Sequence, residues 1–101
     1  MFKKIAQFLK VTDYTELMSN GAQILDVRTP TEFKEGHIKG SINIPLDVIS
    51  TKATEIQKWD KPVILCCRSG MRSGQATGIL KSHGVEAVNG GGWSSLVSKL
   101  S

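Results

Sequence analysis

The chain has 101 residues, 40% of them hydrophobic, and a formal charge of +4 from 13 Lys and Arg against 9 Asp and Glu. This supports one compact domain over residues 1–101 with a single core, is too short for two, and needs neither disulfides nor a structural metal to fold. The positive balance favours small anions or acidic partners, but scattered lysines without interleaved aromatics exclude a nucleic-acid stacking platform, and no apolar run reaches the roughly 18 residues of a membrane span.

In chain order, MFKKIAQFLKVTDY begins like a signal peptide, yet Gln7 and Lys10 break its apolar part and no small-residue cleavage pattern follows. A cytoplasmic protein is the expectation, with about 1–11 a segment of uncertain structure near Ile5 to Val11. In TDYTELMSNG, Asp13 and Glu16 stand in capping-box relation, Leu17 and Met18 are apolar and Gly21 is a stop, which predicts a short helix. AQILDVR, bounded by Gly21 and Pro30, reads as a buried strand ending near Asp26 to Arg28. TPTEF then supplies Thr29 as N-cap, Pro30 at the first helical position and Glu32 reaching back, for a helix closed by Gly36.

SINIP is a brief strand stopped by Pro45, and LDVISTKATEIQKW sets Leu46, Ile49, Ala53, Ile56 and Trp59 at helical spacing. KPVILCC is the most strand-like run in the chain. It leads through a basic, glycine-containing turn to a helix expected from about Ser73 to His83, with Ser73 as N-cap and Gly84 as stop. VEAVNGGG gives a last strand and WSSLVSKL a closing helix. The alternation predicts an α/β fold, a central parallel sheet of about five strands with helices on both faces, and ligands beyond the carboxyl ends of the strands.

The CCRSGMRSG turn sits at such an end. Adjacent cysteines make no disulfide framework, so free thiols and a reducing compartment are expected; neither His37 nor His83 stands at a ligand spacing from them, so no metal is expected. A thiolate is the reactive form of cysteine, stabilised by backbone N–H groups, a helix N-terminus or Arg. Residues 67–72 can supply all three, with amides curling into an anion nest. Cys66 extends the apolar run and reads as core; Cys67, with polar and basic neighbours, reads as the reactive thiol. Arg68 and Arg72 are either cations for an anionic ligand or solvated charges.

CRSGMRS resembles the active-site loop of rhodanese-like sulfurtransferases. LDVRTPTEFKEGHIKGSINIP, Leu25 to Pro45, is similar to that family's Asp-x-Arg, Glu-Phe and Gly-His-Ile-x-Gly-x-x-Asn-Ile-Pro segments, and GGW, Gly91 to Trp93, to its closing element. The resemblance runs from about Asp13 over nearly all the chain. It implies a rhodanese-like domain in which Cys67 is the persulfide-forming nucleophile and Arg68, Ser69, Gly70, Met71, Arg72 and Ser73 cradle the sulfur and the donor anion. Asp26 and Arg28 would brace the loop, Arg28 being equally explicable as a surface charge. No organic cofactor is implied. The thiolate would attack the outer sulfur of an anionic donor such as thiosulfate, leaving sulfite and a persulfide; cyanide, a thiol or a protein cysteine would then take the sulfur. A monomer without nucleic-acid or membrane partners is expected.

Two other readings stay open. Counted from Cys66, Arg72 closes a Cys-x5-Arg loop of the length used by related phosphatases and arsenate reductases; counted from Cys67, it closes the shorter Cys-x4-Arg loop. Leu65 stands where such phosphatases commonly carry His, and no obvious general-acid Asp follows the turn. The fold could also serve as a non-catalytic binding module. Glu32 is read as the capping partner of Thr29, His37 as part of a turn seating Ile38, His83 as a helix C-terminal residue, and Trp59 and Trp93 as packing anchors.

Overall fold

The computed structural model describes residues 12–100, so the uncertain first segment near Ile5 to Val11 lies outside the described residues. Helix α1 (Tyr14–Ser19) starts where Asp13 accepts the Glu16 N–H at 3.0 Å. After strand β1 (Gln23–Asp26), helix α2 (Pro30–Glu35) opens on a complete capping box: Thr29 Oγ1 accepts the Glu32 N–H and Glu32 Oε1 accepts the Thr29 N–H. Strand β2 (Ile42–Asn43) and a 3-10 turn (Leu46–Val48) precede helix α3 (Ile49–Gln57), which buries Ile49, Ala53 and Ile56 along one stripe. Strand β3 (Val63–Cys67), helix α4 (Met71–Ser82), strand β4 (Ala87–Gly92) and helix α5 (Trp93–Leu100) complete the order.

All strands run parallel in the order β2-β1-β3-β4. About five strands were expected, and four stand among the described residues. Strand β3 is flanked on both sides and every residue in it is buried, which is why its sequence is an unbroken apolar run rather than an alternation.

Because strand side chains alternate between faces, the sheet separates two core layers. One gathers Leu25, Val63, Leu65 and Cys67 against Ile49, Ala53, Ile56, Ala76 and Leu80 of α3 and α4. The other gathers Ile24, Ile64 and Cys66 against Leu96 of α5, with Leu17 of α1 alongside. Neighbours in sequence, the two cysteines belong to opposite layers.

Helix α4 begins two residues before the expected start. Its N-cap is Gly70 in the left-handed region (φ +102°), a conformation that costs glycine little and other residues more. Ser73 is thus not the cap; it is the third helical residue and fully buried.

Candidate active site

Strand β3 ends at Cys67, and the chain turns over the α4 side of the sheet into that helix. The turn brings several donors to one sulfur. Cys67 Sγ accepts the Gly70 N–H at 3.0 Å and the Ser73 N–H at 3.4 Å, and lies 3.3 Å from Ser73 Oγ. Burial pushes the Cys67 thiol up, but the Ser73 hydroxyl and the N–H groups of Ser73, Gly70 and Ser69 outweigh it and hold the thiol below its ordinary value. Cys66, one residue earlier, has none of these donors. Burial, with the charge of Asp26 and of Cys67 adding to it, drives its thiol up to about 12.

A side chain that the sequence reading passed over holds the turn in shape. Asn89 Nδ2 donates to the Gly70 carbonyl at 3.0 Å, and its Oδ1 accepts the Ser73 hydroxyl at 2.6 Å and the Gly91 N–H at 2.9 Å. It can do so because it pairs with Leu65 in regular register, on the sheet face of Cys67; beyond it the β3/β4 register slips and Cys67 pairs with Gly92. The signal available in the sequence was an Asn directly before three glycines at a strand end. Gly92 itself must lack a side chain, since a Cβ there would meet the Arg68 carbonyl oxygen at 2.7 Å.

The two loop arginines part company. Arg72 points to α2, where Nη1 and Nη2 donate to the two carboxylate oxygens of Glu32 at 2.7 and 3.0 Å. That bidentate pair, with the Thr29 N–H and hydroxyl, holds the Glu32 carboxyl at about 2. Glu32 is therefore more than the capping partner it was read as, and Arg72, expected at the donor anion, is already matched by a carboxylate. Arg68 remains exposed. Ser69 is exposed as well, and Met71 is 76% exposed at the start of α4.

Asp26 and Arg28 form a buried pair with Nη2 to Oδ2 at 2.7 Å, and the Arg28 N–H adds a bond to Asp26 Oδ1 at 2.9 Å. Hydrogen bonding to Asp26 is the main cause that raises the Arg28 guanidinium above its ordinary value. The remaining Arg28 donors go to the carbonyls of Glu32 and Gly36, so the pair braces the α2 segment rather than the cysteine turn directly. Its effect reaches the turn through Glu32 and Arg72. A surface role for Arg28 is ruled out by its 4% exposure.

His37 stacks on Phe33 at 3.7 Å and its Nδ1 meets the Phe33 carbonyl, a local turn contact, while Ile38 is buried beside it. His83 closes α4 with Nδ1 against the Ile79 carbonyl. Trp93 is half-buried at the rim, with the Arg28 guanidinium 4.8 Å above its ring centroid. Among the described residues no cluster of His, Cys, Asp and Glu could hold a metal, and no helix is long and apolar enough to cross a membrane.

The family model described as "Rhodanese-like domain" matches residues 10–99. The Bacillus subtilis (strain 168) protein YqhL is 48% identical over 67 residues, covering 66% of this chain and 52% of its own length. Thiosulfate sulfurtransferase PspE of Escherichia coli (strain K12) is 36% identical over 69 residues, covering 67% of this chain and 66% of that protein. Among solved structures, a rhodanese with anions from E. coli superposes with a TM-score of 0.67 at 34% identity, over 74% of this chain and 91% of that one. The chain thus spans only 52% and 66% of the lengths of these two curated relatives.

Proposed function

The chain belongs to the rhodanese-like domain family, and from that membership together with the donors around one sulfur we propose that it is a sulfurtransferase working through a Cys67 persulfide. The carrying observation is that the Gly70 and Ser73 N–H groups and the Ser73 hydroxyl converge on Cys67 Sγ, while Cys66 lies in the opposite core layer. A site of fixed N–H donors stabilises the thiolate before reaction and the terminal sulfur of the persulfide after it, with no reorganisation in between.

In the first half-reaction the Cys67 thiolate attacks the outer sulfur of an anionic donor, the donor's S–S bond breaks, and its electron pair leaves with the sulfite-like fragment. Thiosulfate is the donor of choice because a relative is named for it. In the second half, a thiol or cyanide attacks the outer persulfide sulfur and Cys67 regains its electron pair. Two anions must meet in each half, so cationic and N–H groups near the sulfur lower the barrier and no obligatory acid–base pair is needed. Arg68, exposed beside the nest, is the cation free to receive the donor; Arg72 is matched by Glu32. The phosphatase reading counted its loop from Cys66, whose side chain points away from the turn.

Intact mass tests this. After incubation with thiosulfate the protein should gain one sulfur atom, Cys66→Ala should gain it too, and Cys67→Ser should not. Gain in Cys67→Ser and loss in Cys66→Ala would overturn the assignment; no gain in the unmodified protein with thiosulfate or an organic persulfide would overturn sulfur transfer itself.

A further inference from the structure

Bordering the loop lies a cavity of about 220 Å³ walled by Arg28, Glu32, Glu35, Gly36, Arg68 and Trp93, of which the donor step uses only Arg68. Two of its four charges are already matched: Arg28 by Asp26, and Glu32 by Arg72. Arg68 and Glu35 have no ion pair or side-chain hydrogen bond among the described residues. The cavity therefore offers one unmatched cation and one unmatched anion around an aromatic wall. It borders the Cys67 loop, which contributes Arg68 to its wall and whose Arg72 holds the Glu32 carboxylate.

We infer that this cavity binds the zwitterionic head of an α-amino-acid thiol, its carboxylate on Arg68 and its ammonium on Glu35, and so selects small aminothiols as sulfur acceptors. The inference rests on the sulfurtransferase reading of Cys67 for the transfer but not for the binding. Charge decides the class. A simple anion gains from Arg68 but meets the like charge of Glu35, a simple amine meets the reverse, and only a molecule carrying both signs is favoured by both groups. Size narrows it further: drug-sized ligands occupy clefts of about 300–1,000 Å³, and 220 Å³ suits a single amino acid. In the transfer, the bound aminothiolate attacks the outer sulfur of Cys67–S–SH, the S–S bond to Sγ breaks and its electron pair returns to Cys67. The aminothiol leaves as its persulfide, with no net oxidation.

Thioether analogues, which cannot accept sulfur, test the binding alone, with the Trp93 indole N–H followed by NMR and Trp59 as internal control. S-methyl-L-cysteine should shift Trp93 and bind at least about fivefold more tightly than 3-(methylthio)propionate or 2-(methylthio)ethylamine, the advantage of one exposed charge pair. Glu35→Gln should erase the advantage over the propionate. S-methylglutathione carries the same head on a tripeptide; tighter binding than S-methylcysteine would support the site with a tripeptide as its source. In the persulfide-loaded protein, Glu35→Gln should lower kcat/KM for L-cysteine about fivefold and raise that for 3-mercaptopropionate, which no longer meets a like charge. Equal binding of the three small analogues, or an unaltered preference in Glu35→Gln, would overturn the inference. Failure of Cys67 to load sulfur would instead overturn the sulfurtransferase reading, while the indole titration would still decide the cavity.

Discussion

Replacing Ser73 by Ala removes one donor from Cys67 and one hydrogen bond to Asn89. The hydroxyl lies 3.3 Å from Sγ and donates to Asn89 Oδ1 at 2.6 Å. It has a single hydrogen, so when the thiol ionises that hydrogen must turn from Asn89 to sulfur, while Asn89 Oδ1 keeps the Gly91 N–H. A hydrogen bond to a charged group contributes about 1.5–3 kcal/mol, and the competing Asn89 bond puts Ser73 at the low end. Loss of about 1.4 kcal/mol means roughly tenfold less thiolate at a given pH below the titration range. The more basic thiolate is also the better nucleophile, by about threefold for a Brønsted slope of about 0.4–0.5. Alkylation by iodoacetamide across pH should then give crossing curves: Ser73→Ala about threefold slower at low pH and about threefold faster on the high-pH plateau. Cys66 does not interfere, being buried with its thiol pushed up to about 12. Superimposable profiles, or a uniform slowing at every pH, would refute the claim that the Ser73 hydroxyl stabilises the thiolate.

Glu32→Gln should destabilise the protein by about 1 kcal/mol, the value of a half-exposed bidentate pair rather than a buried one. Because the folded Glu32 carboxyl sits at about 2, below its ordinary value, that stabilisation is complete above about pH 4.5 and lost as pH falls toward 2. Thermal melts of the two proteins should differ at neutral pH and converge across that acid window; a constant difference would contradict the ion pair. Gly78 lies exposed in the middle of α4, where an added Cβ meets nothing within 4 Å. Gly78→Ala should stabilise by about 1 kcal/mol and raise Tm by about 4–8 °C without altering sulfur transfer, and an unchanged or lowered Tm would count against it.

Local chemistry made the elements legible. Thr29, Pro30 and Glu32 specified the start of α2, and the stripe of Ile49, Ala53 and Ile56 the buried face of α3, because caps and helical periodicity act over a few residues. The unbroken apolar run 63–67 marked the central strand. Less legible were contacts made across the fold. Ser73 resembled a cap, yet the turn from β3 carried Gly70 into that place and set Ser73 against sulfur. Arg72 resembled an anion receptor, but Glu32, 40 residues earlier, takes it. Asn89 gave almost no signal, since its role depends on the pairing of two strands distant in sequence.

The sequence alone determined that two thiols stand at the end of a buried strand, next to a turn rich in N–H donors and arginine; the folded strand turns them to opposite sides of the sheet. Which side carries the donors was settled only in three dimensions. The chain crosses from β3 to α4 over the layer holding Leu65 and Cys67, so the first turn of that helix closes on Cys67. Cys66, with an identical side chain one residue away, meets only the apolar packing of the other layer. The difference in their acidity is a difference of surroundings, and surroundings are a property of the folded chain.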